Sequence, residues 1–265
     1  PIVDAFGQRI NGDWKNKTRN EKQLIEYLKS ELASSVNAKY PDGWSAFGEW
    51  TALRREATGF FRTEKIEGKW WLIDPEGYAF FSNGVCYSSR AGVFGFTEEY
   101  RSLYEYLPDK DSEFADAWST AANIPQYLVR NGSVGAENRD MFSFGRSNLI
   151  RAFGKEWYLA YIKITVARMR RMGFNTVCVG TNDYLDEQTD CFLKKSNIPY
   201  VVTFRNFPLT KERIFRDFPD VFSSEYEELC REFAESSLRK YAGDPYLIGY
   251  FVTNEPEWLF SGEVN

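Results

Sequence analysis

The chain has 265 residues, of which 43% are apolar and 17% aromatic, and its formal net charge is −5. This length is sufficient for one large domain, or for one domain with an appendage. Lysine and arginine are dispersed along an acidic chain, which argues against a nucleic-acid partner. No apolar run approaches the length that crosses a membrane, so we expect no membrane partner. We also recognise no signal peptide within the chain.

The sequence contains no histidine. Sites that depend on imidazole, such as Ser-His-Asp triads and HExxH zinc sites, are therefore excluded within this chain. Acid–base chemistry must use Asp, Glu, Tyr, Lys or Cys, and we predict neither a metal nor a cofactor. The four cysteines form no CxxC pair. We interpret Cys86 and Cys178, which lie in apolar strand-like runs, as small core residues.

The first third of the chain predicts one helix and then a set of strands. Residues Thr18 to Glu21 match a capping box, and an apolar stripe at helical spacing follows it: Leu24, Ile25, Leu28 and Leu32. From Phe60 onward the pattern predicts three strands separated by turns at Glu67-Gly68 and Asp74–Gly77. The last of these strands is predicted to run from Ala79 to Tyr87. Residues 1–78 are accordingly assigned to an N-terminal helical and β-hairpin segment.

A long polar and aromatic insertion follows over residues 88–154. It shows no clear periodicity, and loops of this length are commonly functional or poorly ordered. Its aromatic side chains suit the wall of a cleft for a polymer. They are equally ordinary material for a hydrophobic core.

Beyond residue 154, helices and strands alternate. A helical stripe from Leu159 to Met169 stops at Gly173, and a later helix ends at Gly243. Strands that are apolar on both faces are predicted over 175–181, 199–204 and 247–252. Strands of this kind alternating with helices indicate a parallel sheet. Both a doubly wound sheet and a (β/α)₈ barrel fit, although no glycine-rich nucleotide-binding motif follows any strand.

The last predicted strand leads into Asn254-Glu255-Pro256, within "YLIGYFVTNEP". In a (β/α)₈ barrel the carboxyl ends of the strands carry the chemistry. A glutamate at the mouth of an apolar barrel would be partly desolvated, so its pKa would rise and Glu255 could donate a proton. Asn254 could then hydrogen-bond a substrate hydroxyl. The same three residues also match the start of a helix, with a cap and a first-position proline.

Polar and aromatic residues occur at the other strand ends as well. In the barrel interpretation Tyr87 and Ser88, Asn182 and Asp183, and Arg205 and Asn206 line a sugar cleft. Asn182 and Asp183 also match a helix cap. Arg205 suits either sugar hydroxyls or a surface ion pair, and Trp258 suits either a sugar-stacking platform or packing beneath the next helix.

Several segments together resemble β-agarases and agarase-like proteins of glycoside hydrolase family 50. They are "ATGFFRTEKIEGKWWLIDPEGYAFFSNGVC" (57–86), "RMRRMGFNTVCVGTND" (168–183), "IPYVVTF" (198–204) and "FPDVF" (218–222). "YLIGYFVTNEP" (246–256) is similar to the fourth-strand motif of clan A retaining glycoside hydrolases. The sequence departs from the expected pattern after the second strand, at Val179–Asp183, where an aromatic-containing element is usual.

The resemblance implies an α/β fold, a (β/α)₈ barrel whose first four strands lie in residues 79–265. It implies a retaining enzyme that cleaves a β-linked galactose-type polysaccharide or oligosaccharide and is secreted or periplasmic. Glu255 would be the acid/base, and the substrate would be bound by Asn254, Trp258, Asn182 and Arg205. The nucleophilic Glu at the end of strand seven has no counterpart in this chain.

Two other functions remain compatible with the sequence. One is a β-galactosidase or β-mannanase-type enzyme of the same clan. The other is a non-catalytic carbohydrate-binding barrel, which would lack the second carboxylate. The oligomeric state is not fixed by any of these patterns.

Overall fold

The computed structural model describes residues 1–97, 100–120, 139–179, 187–204, 207–215 and 218–252. These residues form two compact units, each built from discontinuous segments. The helical unit contains the described residues of Pro1–Lys39, Ser88–Gly173 and Asp186–Ser196. The sheet unit contains those of Tyr40–Tyr87, Phe174–Leu185 and Asn197–Asn265.

Twelve strands and five α-helices lie in the described part of the chain. The strands are β1 (Arg62–Ile66), β2 (Lys69–Ile73), β3 (Ala79–Phe80), β4 (Gly84–Cys86), β5 (Gly95–Phe96), β6 (Trp118–Thr120), β7 (Asp140–Phe142), β8 (Thr176–Val179), β9 (Tyr200–Thr203), β10 (Arg213–Phe215), β11 (Phe218–Pro219) and β12 (Leu247–Phe251). The helices are α1 (Glu21–Ser35), α2 (Phe144–Phe153), α3 (Trp157–Met172), α4 (Glu187–Ser196) and α5 (Ser224–Phe233).

The ends of the helices follow local sequence signals, with one correction. Asn20, and not Thr18 of the predicted capping box, caps α1, because its side chain accepts a hydrogen bond from the Gln23 amide at 2.9 Å. The Thr18 amide instead donates to the Gln8 side chain at 2.8 Å, which keeps Thr18 outside the helix. The predicted end of α3 is confirmed: Gly173 adopts a left-handed φ of 75°, which glycine tolerates.

Several described aromatic residues of the 88–154 insertion contribute to a core. Phe114 and Phe142 of the insertion are buried within the helical unit together with Trp157, which follows the insertion, and Trp118 packs against them. The Trp157 indole N–H donates to the Asp116 carboxylate at 3.0 Å, so its polar atom is also satisfied. For these residues the core interpretation is correct and the cleft-wall interpretation is wrong.

In the sheet unit, β1 to β3 form the predicted antiparallel sheet with the turn at Asp74–Gly77. The single strand predicted over Ala79–Tyr87 is wrong, because β3 pairs with β2 while β4 pairs in parallel with β8. The two strands are separated at Asn83, whose amide donates to the Asn175 side chain at 2.8 Å. A bond to a residue this distant in sequence redirects the chain from one sheet to the next.

The predicted parallel sheet is confirmed, with four strands in the order β12-β9-β8-β4. One face is closely packed: Val177 and Val202 are fully buried, and Phe204 meets Phe233 of α5 with ring centroids 4.9 Å apart. The opposite face is partly open, since Phe251 is 54% exposed and Cys86 is exposed. Within the described residues β12 is therefore only partly buried. Among the described strands β12 lies at the edge of its sheet, paired only with β9.

No helix in the described ranges is both long enough and apolar enough to span a bilayer.

Candidate active site

The carboxyl ends of β4, β8, β9 and β12 meet at one edge of the parallel sheet, because all four strands run in the same direction. We call this the carboxyl edge; its last strand residues are Cys86, Val179, Thr203 and Phe251. In sheets that alternate with helices, ligands bind outside this edge. We therefore expect site residues directly after these four strands.

The sequence-predicted site residues follow three of the four strands. Asn182 comes after β8 and Arg205 comes after β9, while the remaining three follow β12: Asn254, Glu255 and Trp258. All five lie outside the described residues. Their roles stay predictions, supported by the position of the strands that precede them.

Tyr87 follows β4 directly and is a described aromatic residue at this edge. Its φ of 60° is left-handed, which is unusual for a side chain of this size. Its amide donates to the Cys178 carbonyl at 3.3 Å, and the side chain is 44% exposed. Residues in sparsely populated backbone conformations concentrate at functional sites. Ser88, which the sequence also placed in the cleft, is buried, so that prediction is wrong for its side chain.

Cys86 and Cys178 are neighbours at the carboxyl edge. They are register partners on the parallel strands β4 and β8. Burial, together with the adjacent Cys86 thiol, raises the pKa of Cys178 to about 11. Cys86 is exposed, so its interpretation as a core residue is wrong. The sequence alone could not show that these cysteines meet, because the register between β4 and β8 is set by tertiary structure.

The opposite edge of the sheet is organised by a buried side chain that the sequence analysis missed. Asn175 precedes β8 and is 1% exposed. Its amide group donates to the carbonyls of Gly48 and Phe81, at 3.0 and 3.1 Å, and to the Glu49 carboxylate. The side-chain oxygen of Asn175 accepts a hydrogen bond from the Asn83 backbone N–H, so both ends of this side-chain amide are paired. The position of Asn175 directly before an apolar strand was its only sequence signal.

Two carboxyl groups are buried at this amino edge. Burial raises the pKa of Glu49 to about 7, and nearby Asp74 adds to the shift, while hydrogen bonds oppose it. Burial also raises the pKa of Asp74, against hydrogen bonds from the amides of Tyr78 and Glu76 and from the Ser45 hydroxyl. A raised pKa in a carboxyl group can mark an acid–base catalyst. Here the groups lie at the edge associated with stability.

Within the described ranges, no cluster of three or more Cys, Asp or Glu side chains is arranged to hold a metal ion.

Comparison with known proteins addresses the fold and the resemblance together. No protein-family model matches the chain. Beta-agarase B of Vibrio sp. (strain JT0107) is 26% identical over 284 residues, which cover 97% of this chain and 28% of that protein. The chain is agarase-like. The resemblance found in the sequence segments is thereby confirmed along nearly the whole chain.

Solved structures agree with this similarity. The crystal structure of an agarase, AgWH50C, superposes with a TM-score of 0.76 at 25% identity and covers 96% of this chain. The structure of PfGH50B gives a TM-score of 0.74 at 26% identity, again over 96% of this chain. The agarase-like chain spans 38% of each of these two proteins. It therefore corresponds to a part of its relatives.

Proposed function

We propose that this chain is part of a glycoside hydrolase that cleaves an agarose-type polysaccharide, with β-linked galactose units. The observation that carries the proposal is the similarity to beta-agarase B over 97% of the chain. The absence of histidine fits this chemistry, because glycoside hydrolysis is performed by two carboxyl groups and needs neither imidazole nor a cofactor. A polymer substrate of this size would be met outside the cytoplasm, so we place the enzyme in a secreted or periplasmic setting.

The fold proposed for the whole protein is a (β/α)₈ barrel. Residues 79–265 would supply its first half, and β4, β8, β9 and β12 would be its first four strands, preceded by the segment 1–78. Two observations support this. The four strands are parallel and adjacent in chain order, and the outermost strand leaves Phe251 and Val252 at least half exposed. Further strands pairing with β12 would cover that apolar surface and close the barrel.

The proposed mechanism assigns the proton transfer to Glu255. Its carboxyl group would donate a proton to the glycosidic oxygen as the bond breaks, and would later take a proton from the attacking water. Retention of configuration needs a second carboxylate about 5–5.5 Å away, which attacks the sugar carbon and forms a covalent intermediate. That nucleophile would come from a strand outside this chain. Burial at the barrel mouth would raise the pKa of Glu255 and keep it protonated for the first step.

Four neighbouring residues are proposed to hold the sugar. Asn254 and Asn182 would hydrogen-bond hydroxyl groups, and Arg205 would bind hydroxyls or orient the carboxylates. Trp258 would present an apolar ring to the sugar face. Each of them follows a strand at the carboxyl edge in the sequence, which is the observation that supports grouping them.

The decisive experiment compares Glu255→Gln with Glu257→Gln in the protein that contains this chain. Both variants replace a glutamate by its amide, two residues apart. We expect Glu255→Gln to lower agarose hydrolysis about 10²–10⁴-fold, because an amide cannot protonate the leaving oxygen. Aryl glycosides whose leaving group needs no proton should be cleaved to the covalent intermediate at nearly normal rates. Glu257→Gln should retain most activity.

Turnover of agarose by Glu255→Gln close to that of the unmodified protein would remove Glu255 from the mechanism. If the unmodified protein binds agarose oligosaccharides but hydrolyses none of them, the non-catalytic carbohydrate-binding function would replace the proposal. Hydrolysis of β-galactosides or β-mannans in preference to agarose would instead overturn the substrate class.

A further inference from the structure

Two cysteines at the carboxyl edge are placed side by side on neighbouring strands. Cys86 closes β4, and its register partner on β8 is Cys178. Side chains in register on adjacent parallel strands project from the same face of the sheet, and the strands lie about 4.8 Å apart. A disulfide bond requires Cα atoms about 4.4–6.8 Å apart, so the backbone is already at a suitable separation. All four cysteines of the chain carry free thiols.

We propose that Cys86 and Cys178 form a reversible redox pair, which a small-molecule disulfide oxidises to an intramolecular disulfide across β4 and β8. The proposal rests on the described strand register and on the exposure of Cys86 at the carboxyl edge. It is independent of the catalytic roles proposed above, and it rests on the proposed barrel leaving its carboxyl edge open to solvent.

The two cysteines differ in access, which sets the order of the steps. Cys86 is exposed, whereas Cys178 is half-buried. Burial and the neighbouring thiol also raise the pKa of Cys178 to about 11, so few Cys178 thiolates exist at neutral pH. Because the thiolate is the attacking species, Cys86 reacts first and Cys178 acts as the resolving thiol.

The Cys86 thiol releases its proton to solvent, and its sulfur attacks one sulfur of the small disulfide. One thiolate leaves and takes up that proton, so a mixed disulfide remains on Cys86. Cys178 then loses its proton and attacks the Cys86 sulfur, which releases the second small thiol. Two cysteine thiols are oxidised to one disulfide, and the small disulfide is reduced to two thiols.

The remaining cysteines provide an internal comparison. Cys191 lies on α4 and Cys230 on α5, and both are half-buried. Neither is a register partner of another cysteine in the described strands. We therefore expect only the β4–β8 pair to close, and an exposed disulfide of this kind should be readily reduced again.

The test incubates the whole protein with oxidised glutathione and analyses it by thiol titration and non-reducing peptide mapping. Among the four cysteines of this chain we expect two thiols to disappear, with a peptide in which Cys86 is linked to Cys178 and full reversal by a dithiol reductant. Cys178→Ser should stop at a glutathione adduct on Cys86. The paired control Cys191→Ser/Cys230→Ser should form the same crosslink as the unmodified protein.

Because the central measurement uses the unmodified protein, it does not depend on how well a variant folds. A stable glutathione adduct on Cys86 of that protein, without a link to Cys178, would overturn the proposal. Unreacted thiols at all four of these cysteines in the folded protein, or a crosslink that involves Cys191 or Cys230, would also overturn it.

Discussion

The two edges of the parallel sheet are built in different ways. At the amino edge Asn175 is almost completely buried, and its side chain ties β8 to the Gly48-Glu49 segment and to the break between β3 and β4. At the carboxyl edge Cys86 and Tyr87 are exposed, and Tyr87 adopts a left-handed backbone. One edge has its polar groups satisfied internally, and the other presents groups to solvent.

The difference shows how one sheet can separate stability from chemistry. Buried amide and carboxyl groups destabilise the fold unless each has its hydrogen-bond partners. The amino edge should therefore tolerate few substitutions. Binding residues instead need access and tolerate local strain. Substitutions at the amino edge should therefore change the free energy of unfolding, whereas those at the carboxyl edge should change binding or catalysis.

The largest effect at the amino edge is expected from Asn175→Ala. The change leaves the Asn83 amide and the carbonyls of Gly48 and Phe81 without their partner. Each buried group left unpaired costs about 1–3 kcal/mol, so we expect a loss of about 3 kcal/mol or more in urea unfolding. The matched control, Asn37→Ala at an exposed turn, should stay within about 0.5 kcal/mol of the unmodified protein. A loss below about 1 kcal/mol for Asn175→Ala would contradict the stabilising role of this edge.

The buried Glu49 makes stability at the amino edge depend on pH. Its pKa is about 7 in the folded chain, against an ordinary value of 4.5, so the folded state binds the proton more tightly than the unfolded state does. The contribution of Glu49 to the free energy of unfolding should therefore be fully present below about pH 4.5. It should be lost as pH rises through about 7. At about 1.36 kcal/mol for each pKa unit, the fall amounts to about 3 kcal/mol.

Melting temperatures between pH 5 and 8 test this effect, with Glu49→Gln as the variant. The neutral amide should flatten the dependence, although Asp74, whose pKa burial also raises, contributes a fall of the same sign. Glu56→Gln, at an exposed position, should reproduce the slope of the unmodified protein. An unchanged slope in Glu49→Gln would show that Glu49 titrates as an ordinary carboxyl group.

The smallest effect on stability is expected at the carboxyl edge, from Tyr87→Asn. Asparagine adopts the left-handed backbone more readily than tyrosine, so relief of strain offsets lost ring contacts, and stability should change by less than about 1 kcal/mol. If the ring contacts sugar, oligosaccharide affinity should fall about tenfold, or about 1.4 kcal/mol. Calorimetry in the Glu255→Gln background would measure binding without cleavage.

Tyr106→Asn is the control for this substitution, because Tyr106 is exposed to a similar extent, 45% against 44%, and follows none of the four parallel strands. The affinity of the Tyr106→Asn variant for the oligosaccharide should equal that of the protein with Tyr106. A large drop in melting temperature for Tyr87→Asn, with unchanged affinity, would assign Tyr87 to stability and weaken the contrast between the two edges.

Outside residues 88–154 the sequence by itself determined most of the order of the elements, since many helices and strands are recorded in local patterns. The apolar stripe of α1, the glycine that ends α3 and the turn at Asp74–Gly77 were all predicted from neighbouring residues. The parallel character of the sheet followed from apolar strands alternating with helices. The candidate site residues were named from strand ends, and the resemblance to agarases was recognised from whole segments.

Only the tertiary structure decided which strands pair and which atoms meet. The predicted Ala79–Tyr87 strand divides between two sheets because the Asn83 amide bonds to Asn175, 92 residues away. The meeting of Cys86 with Cys178, and the burial of Glu49 beside Asn175, have the same origin. Periodicity reports which face of an element is apolar. Register and burial arise from contacts between segments distant in the chain, and no local pattern records them.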